Sequence, residues 1–329
     1  MITERQKKIL KIIVEDYIKT AKPVGSKSIC KLLKCSSATI RNEMALLEEI
    51  GYLEKTHTSS GRVPSEKGYR YYVDTLMKPK EMSGDDMLKL QTIFHNSSLQ
   101  LSDAITKSME IISEITNYTS IVLGDSSSAN RLKKVEVVPI DNNNLIAIVI
   151  TDHGFIEHKN ISITEDISLE EIKKMVDLIN NLLVGTLINE ISQKLEFEIK
   201  PIIGKYIKQH EMVYNVFYNA FNDLTVKGSV HLAGRNNILK QPEFDNVQKI
   251  RNIIEKFEDE DLVKSIKEES NNINVYIGKE NALDEDVTII KTGYNVNGEQ
   301  GTIAIIGPKR MEYNKVVGLL EYIKENIER

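Results

Sequence analysis

The sequence has few of the features that indicate a secreted or membrane protein. Only Cys30 and Cys35 are present among 329 residues, too few for a disulfide framework. No stretch resembles a cleavable signal, and no apolar run is long enough and free enough of charge to cross a membrane. We therefore expect a cytoplasmic protein. The two cysteines could bind a metal, but no nearby His or Cys completes four ligands, so packing is the favoured interpretation.

The sequence also lacks the residue groupings that catalysis requires. Its six histidines lie singly along the chain. His210 and Glu211 begin a string typical of zinc proteases, but Tyr214 occupies the position that needs the second histidine. Lys309 is followed by Arg310 rather than by Ser or Thr, so it does not belong to a phosphate loop. We therefore expect no enzyme, no cofactor and no metal, although Lys309 and Arg310 could serve an anionic ligand.

Charge is distributed unevenly along the chain. The net charge is −5, yet the first 80 residues hold 16 Lys and Arg against 9 Asp and Glu, and the remainder holds 27 against 39. This pattern favours a basic module that meets a polyanion, attached to an acidic body. A chance excess of surface lysine is the alternative. The length suggests two or three domains, at roughly 150 residues each.

The first 50 residues predict three helices. The first runs from Thr3, a good N-cap, to Thr20, and its apolar positions recur at helical spacing. The second starts at Gly25 or Ser26, with Ile29, Leu32 and Leu33 on one stripe. The third starts at Ser36 or Ser37, ends at Ile50 before Gly51, and turns Ile40, Met44 and Leu47 inward.

The opposite face of the third helix carries residues that suit the major groove. Ala38, Asn42 and Ala45 lie opposite the apolar stripe, with Thr39 and Arg41 on its flanks. Asn can pair with adenine, Arg with guanine or phosphate, and small methyl groups can touch thymine. A plain helical hairpin with a solvated polar face is the alternative.

The next segment favours the DNA-reading interpretation, because it predicts a small hairpin after the helices. Tyr52–Thr56 is typical of a short strand, and Ser59, Ser60 and Gly61 of a turn. Three helices and a hairpin make a winged helix. We expect donors to DNA at the tip of this wing: His57, Thr58, Ser59, Ser60 and Arg62.

Pro64 and Ser65 open a fourth helix. Its Tyr69, Tyr72, Val73 and Leu76 form a stripe that we interpret as core rather than as a base-stacking platform, because the spacing is helical. Lys67 and Arg70 lie outside this stripe and are added to the candidate DNA contacts.

Three blocks of sequence resemble the HrcA family of heat-inducible transcription repressors. They are CSSATIRNEMALLEEIGYLEKTHTSSGRVPSEKGYRYYVDTL at 35–76, GRNNILKQPEF at 234–244 and GTIAIIGPKRMEYNKVVGLLEYI at 301–323. Small departures from the family pattern are Ser60, Lys309 and Glu312. By this resemblance, Ser36, Ser37, Ala38, Thr39, Arg41 and Asn42 belong to a recognition helix, and His57, Thr58, Gly61 and Arg62 to a wing.

The same resemblance implies a homodimeric repressor that binds double-stranded operator DNA, an inverted repeat upstream of chaperone operons. It also implies that a GroEL-type chaperonin keeps the repressor active. A metabolite-responsive winged-helix regulator is the competing interpretation, and an enzyme with a DNA-targeting module is weaker, since no catalytic grouping is found.

The rest of the chain predicts an α+β body. Residues 78–86 are polar and breaker-rich and are interpreted as a linker between a winged helix over 1–77 and a body over 87–329. Strand patterns precede and follow a helical stretch, which suggests a sheet domain with an insertion. The family resemblance implies that this domain is GAF-like and that the inserted, mainly helical segment, about 164–226, serves dimerisation. GAF relatives often bind small molecules, but no convergent polar set indicates a ligand here, so a structural use is favoured.

Overall fold

The computed structural model describes residues 2–56, 61–95, 101–124, 131–141, 144–152, 156–162, 167–207, 210–226, 229–268, 270–296 and 299–328. Two compact units are present. The first comprises Met1–Leu123, Val230–Val296 and Gly301–Arg329, and the second comprises Gly124–Ser229 with Asn297–Gln300.

The first unit begins with the elements of the predicted winged helix. In chain order these are α1 (Glu4–Thr20), α2 (Ser26–Leu33), α3 (Ser37–Glu49), β1 (Leu53–Lys55), β2 (Arg62–Pro64) and α4 (Glu66–Tyr71), which a π-helical turn continues over Tyr72–Leu76. The predicted helices and hairpin are thereby confirmed, with β1 shorter than the predicted strand.

Local chemistry sets the ends of these helices. The Thr3 hydroxyl accepts from the Gln6 amide while the Gln6 side chain accepts from the Thr3 amide, which closes a capping box at the start of α1. Helix α1 ends where Ala21 adopts a left-handed conformation, at φ 52°. Ser36 caps α3 by accepting from the backbone N–H of Thr39 at 3.1 Å.

The remainder of the first unit adds a sheet and flanking helices. These elements are α5 (Gly84–Phe94), α6 (Leu101–Thr116), β3 (Thr119–Gly124), and, after the second unit, β7 (Ser229–Ala233), α11 (Val247–Glu258), α12 (Glu260–Lys264), β8 (Asn274–Ile277), β9 (Val287–Val296), β10 (Glu299–Pro308) and α13 (Tyr313–Ile327). The strand order is β7-β3-β10-β9-β8. The buried face of helix α13, including Val316, Leu320 and Ile323, belongs to the same hydrophobic core as residues of the winged helix such as Tyr69.

The second unit has its own sheet and core. Its elements are β4 (Leu132–Pro139), β5 (Asn144–Thr151), β6 (Ile156–Ser162), α7 (Leu169–Leu183), α8 (Ile191–Lys194), α9 (Lys200–Ile203) and α10 (His210–Val226). Strand β5 pairs antiparallel with both neighbours. Its Leu145, Ala147 and Val149 are buried in a core that also holds Ile172 and Phe217. The mixed helix and sheet class predicted from the sequence is confirmed.

Three details differ from expectation. Leu32 is 65% exposed, because the short helix α2 buries only Ile29. The segment that interrupts the body begins at Gly124 rather than near 164, since β4, β5 and β6 form a sheet of their own. The expected linker packs against the body: the Lys80 N–H donates to the Asn314 carbonyl, and the Lys80 carbonyl oxygen would lie only 2.4 Å from a Cβ on Gly318.

Candidate nucleic-acid interface

Helix α3 presents a polar face to solvent. Ile40, Met44 and Leu47 are buried, which confirms the inward stripe. On the other side Ala38, Arg41, Asn42, Ala45 and Ser36 are exposed, and Ser37 and Thr39 are partly exposed. Small side chains beside one amide and one guanidinium allow a helix to lie close to base edges in a major groove.

The start of α3 is held against α2. The Ser26 and Ser37 hydroxyls lie 2.9 Å apart, and Arg41 Nε donates to the Ser26 hydroxyl at 3.4 Å. The N-terminus of α3 also carries backbone N–H groups and the positive end of the helix dipole, both of which favour phosphate. The contact with Ser26 therefore fixes where the Arg41 side chain starts, and the other N–H groups of its guanidinium can still donate to DNA.

The hairpin beside α3 forms the base of a wing. Strands β1 and β2 pair antiparallel, with Lys55 opposite Arg62. Val24, just before α2, joins them: its N–H donates to the Arg62 carbonyl at 2.9 Å, and its carbonyl accepts from the Arg62 N–H at 3.0 Å. Gly61 permits this approach, since a Cβ there would lie 2.8 Å from the Cβ of Pro23. The tip residues His57, Thr58, Ser59 and Ser60 lie outside the described residues.

Two basic side chains predicted to contact DNA also hold α3 in place. Arg62 forms an ion pair with Glu48 on α3, with Nη2 to Oε2 at 2.7 Å. Lys67 donates to the carbonyl of Ile50 at 2.8 Å, just beyond the end of α3, and its ammonium lies 4.8 Å from the centre of the Tyr52 ring. A cation at a helix C-terminus is stabilising there. No pattern in the sequence indicated Glu48 as a partner of Arg62.

Arg70 points to the body of the first unit. Its guanidinium binds Glu280 and the Val275 carbonyl, and it pairs with Asp74 at 3.2 Å. Burial acts to raise the pKa of Glu280, but hydrogen bonds from Arg70 and from the Ile277 amide outweigh it, so the pKa is lowered. A phosphate contact by Arg70 therefore requires the guanidinium to leave two carboxylates.

Tyr69 and Tyr72 are buried, as the helical spacing predicted. Desolvation raises the pKa of both phenols. The ring centres of Tyr69 and Tyr313 lie 5.8 Å apart, which ties α4 to α13. These tyrosines are core residues and not an open stacking surface.

Within the described residues, no three His, Cys, Asp or Glu side chains are grouped as a metal ion would require. Across the same residues, no helix has both the length and the apolar character needed to cross a bilayer.

A winged helix-turn-helix with an exposed third helix defines the class as a winged-helix DNA-binding protein. Two family models match the chain: a winged helix-turn-helix transcription repressor, HrcA DNA-binding domain over residues 1–75, and the HrcA protein C-terminal domain over 102–317. The heat-inducible transcription repressor HrcA of Bacillus pumilus (strain SAFR-032) is 38% identical over 99% of this chain and 97% of its own. The chain belongs to the HrcA family of transcription repressors.

A solved structure supports the fold. The crystal structure of a hypothetical protein aligns with a TM-score of 0.70 at 24% identity, and the alignment covers 100% of this chain and 98% of the other. The overall fold of this chain thus occurs in an experimentally determined structure.

Proposed function

We propose that the protein represses chaperone operons in the cytoplasm by binding an inverted-repeat operator as a homodimer. The observation that carries the proposal is the face of α3 opposite its buried stripe, where Ala38, Asn42 and Ala45 are exposed, next to a paired hairpin that forms the base of the wing. Two copies would place their third helices in successive major grooves on one face of the duplex. The dimer symmetry would then match the symmetry of the operator.

Each predicted contact has a chemical role in this proposal. Asn42 pairs with adenine, Arg41 with guanine or phosphate, and Ala38 and Ala45 touch thymine methyl groups. Ser36, Ser37 and Thr39 bind phosphate at the helix N-terminus. The wing, from His57 through Thr58, Ser59, Ser60 and Gly61 to Arg62, meets the backbone or the minor groove. Lys67 and Arg70 add phosphate contacts if they exchange their present partners.

A replacement at Arg41 tests base reading. If Arg41 reads a base, Arg41→Ala should cost roughly 1–3 kcal/mol of binding free energy and relax discrimination at one position of each half-site. Binding is measured by gel shift on a series of single-base operator variants. Arg251→Ala is the matched control, because Arg251 is a surface arginine on α11. A uniform loss on all sequences would assign Arg41 to phosphate, and no loss would remove it from the interface.

The second unit offers an apolar face that supports the homodimer. The side chains of β5 alternate, so while one face is buried, Ile146, Ile148 and Ile150 remain half-buried on the other. Val138 opposite Ile146 and Ile156 opposite Ile150 are exposed and extend this face. An apolar patch of this kind commonly marks a protein interface.

Sedimentation of the Ile148→Lys variant tests this face. We expect the variant to be monomeric at concentrations where the parent is a dimer, because a lysine would be desolvated in the contact. Val247→Lys is the control, since Val247 is 80% exposed on α11. A dimeric Ile148→Lys protein would mean that this face does not form the interface.

We further propose that a GroEL-type chaperonin maintains the repressor in its DNA-competent state. Family membership motivates this proposal. The first unit is also assembled from three separate stretches of chain, a topology that slows folding. Gel shifts with and without purified chaperonin measure the active fraction. Equal active fractions would contradict the proposal.

A further inference from the structure

A cleft of about 710 Å³ lies in the first unit, and one of its lining residues, Lys67, is also among the DNA contacts proposed above. Part of its wall comes from α1 and α4, including Tyr17 and Tyr69. Further lining residues come from the hairpin, including Glu54 and Val63, and from the body, including Glu243 and Arg310. The volume lies within the range of small-molecule sites in proteins.

Two side chains that line the cleft each carry a buried oxygen atom with no hydrogen-bond partner among the described residues. They are the Tyr69 hydroxyl, on a side chain only 3% exposed, and Oε2 of Glu243. The other oxygen of Glu243 accepts from Arg310 Nε, so Arg310 holds the carboxylate in place. Buried polar groups in folded proteins are nearly always paired, so unpaired oxygens lining a cleft suggest a ligand that pairs with them.

These two oxygens determine which hydrogen-bonding groups the ligand must present. A carboxylate oxygen only accepts, so the ligand must donate to Glu243. Burial raises the pKa of the Tyr69 phenol, which is therefore protonated at neutral pH and can donate to a ligand carbonyl or ring nitrogen. An N–H donor adjacent to an acceptor is the pattern on the edge of a nucleobase.

Four lysines also line the cleft, Lys67, Lys249, Lys279 and Lys309, together with the carboxylates Glu54, Glu66 and Asp286. Lys309 pairs with Glu66 at 3.2 Å. Lys249 and Lys309 share Asp286, at 2.6 and 3.8 Å, so two ammonium groups converge on one carboxylate. Lys279 is 76% exposed, and its distance to Glu285 is 3.9 Å. Converging ammonium groups favour an anion with several charges, such as a phosphate chain.

We propose that this cleft binds a nucleoside phosphate, whose base edge pairs with Glu243 and Tyr69 and whose phosphates meet Lys249, Lys279 and Lys309. Such a ligand would touch α4, which follows the wing, and the body at the same time. Nucleotide occupancy would then bias the position of the winged helix, a control separate from operator recognition itself.

Melting curves of the full chain test the site. The probes are the mono-, di- and triphosphates of guanosine and adenosine, with the free nucleosides, inorganic phosphate and pyrophosphate as comparison arms. At about ten times its Kd, a bound nucleotide should raise the Tm by about 3 °C or more. Neither a nucleoside nor a phosphate alone should match it, because each satisfies only one half of the cleft.

Tyr69→Phe removes one oxygen atom and should weaken nucleotide binding at least about tenfold. Without nucleotide the variant should be no less stable than the parent, since the hydroxyl it removes has no partner. Tyr72→Phe is the matched control: this tyrosine is also buried, but its hydroxyl contacts Glu15 at 3.4 Å outside the cleft. The proposal is overturned if no nucleotide shifts the Tm, if phosphate alone gives the same shift, or if Tyr69→Phe binds like the parent. None of these results decides whether the protein binds an operator, because gel shifts without nucleotide test that proposal separately.

Discussion

Gly61→Ala should loosen the base of the wing. A Cβ at this position would lie 2.8 Å from Pro23 Cβ and 2.9 Å from the Pro23 carbonyl carbon. Real Cβ atoms do not approach so closely, so either the β2 strand or the Pro23 segment must move. The two hydrogen bonds that join Val24 to Arg62 span this same contact and would lengthen or break.

Two opposing effects decide the magnitude. Alanine restricts the unfolded chain more than glycine and would gain about 0.4–1 kcal/mol if it fitted. Overpacking against a rigid neighbour costs about 1–3 kcal/mol, and each lost backbone hydrogen bond costs about 1 kcal/mol. The steric terms are larger, so we expect a net local destabilisation of about 2 kcal/mol.

Native-state hydrogen exchange at the Val24 and Arg62 amides measures this locally. A loss of about 2 kcal/mol corresponds to roughly 30-fold faster exchange. Gly84→Ala is the control, because no atom lies within 4 Å of a Cβ at Gly84 and protection there should not fall. Unchanged protection at both amides in Gly61→Ala would refute the packing argument.

Three further results are expected. Ser36→Ala should destabilise α3 by about 1 kcal/mol through loss of its N-cap, seen as faster amide exchange in α3, while Ser36→Asp should keep the cap and weaken DNA binding. Gly68→Ala should unfold the wing region more than Gly61→Ala does, because its Cβ would overlap the Tyr52 carbonyl oxygen, and circular dichroism melts would show it. The folded-state pKa of Glu280 is lowered, so the pair with Arg70 contributes its full stabilisation at pH values above the ordinary carboxyl pKa. That stabilisation is lost as the pH falls through the folded-state pKa. The Ile277 amide, which donates to Glu280, should therefore exchange faster in acid, and this acid-induced exchange should disappear in Glu280→Gln.

Periodicity predicted the elements that local sequence controls. The inward stripe of α3, and the strands that precede and follow a helical stretch in the rest of the chain, follow from spacing that a window of a few residues reveals. Leu32 fits the same helical spacing but is exposed, because spacing cannot say how wide a face the neighbouring helices cover. The pattern of a single strand also does not state which sheet it joins, so the separate sheet of the second unit was not foreseen.

The exposed face of the candidate site could be predicted from the sequence, but the ion-pair partners of its arginines could not. The face of α3 could be read from the sequence, since one helix carries all of it. Arg70 and Glu280 are 210 positions apart, and no local rule connects them. Arg62 was assigned to DNA from its place in the wing, whereas its pair with Glu48 depends on how β2 crosses α3 in space.

Arg62 joins the hairpin, the turn before α2 and helix α3 through its backbone and its guanidinium. The base of the wing and helix α3 are therefore coupled mechanically, and a shift in one displaces the other. If α3 and the hairpin contact the operator as proposed, a change of operator that requires α3 to tilt would also move the hairpin on the sugar-phosphate backbone. Specificity in this protein should evolve more easily by exchanging exposed side chains than by reorienting the helix.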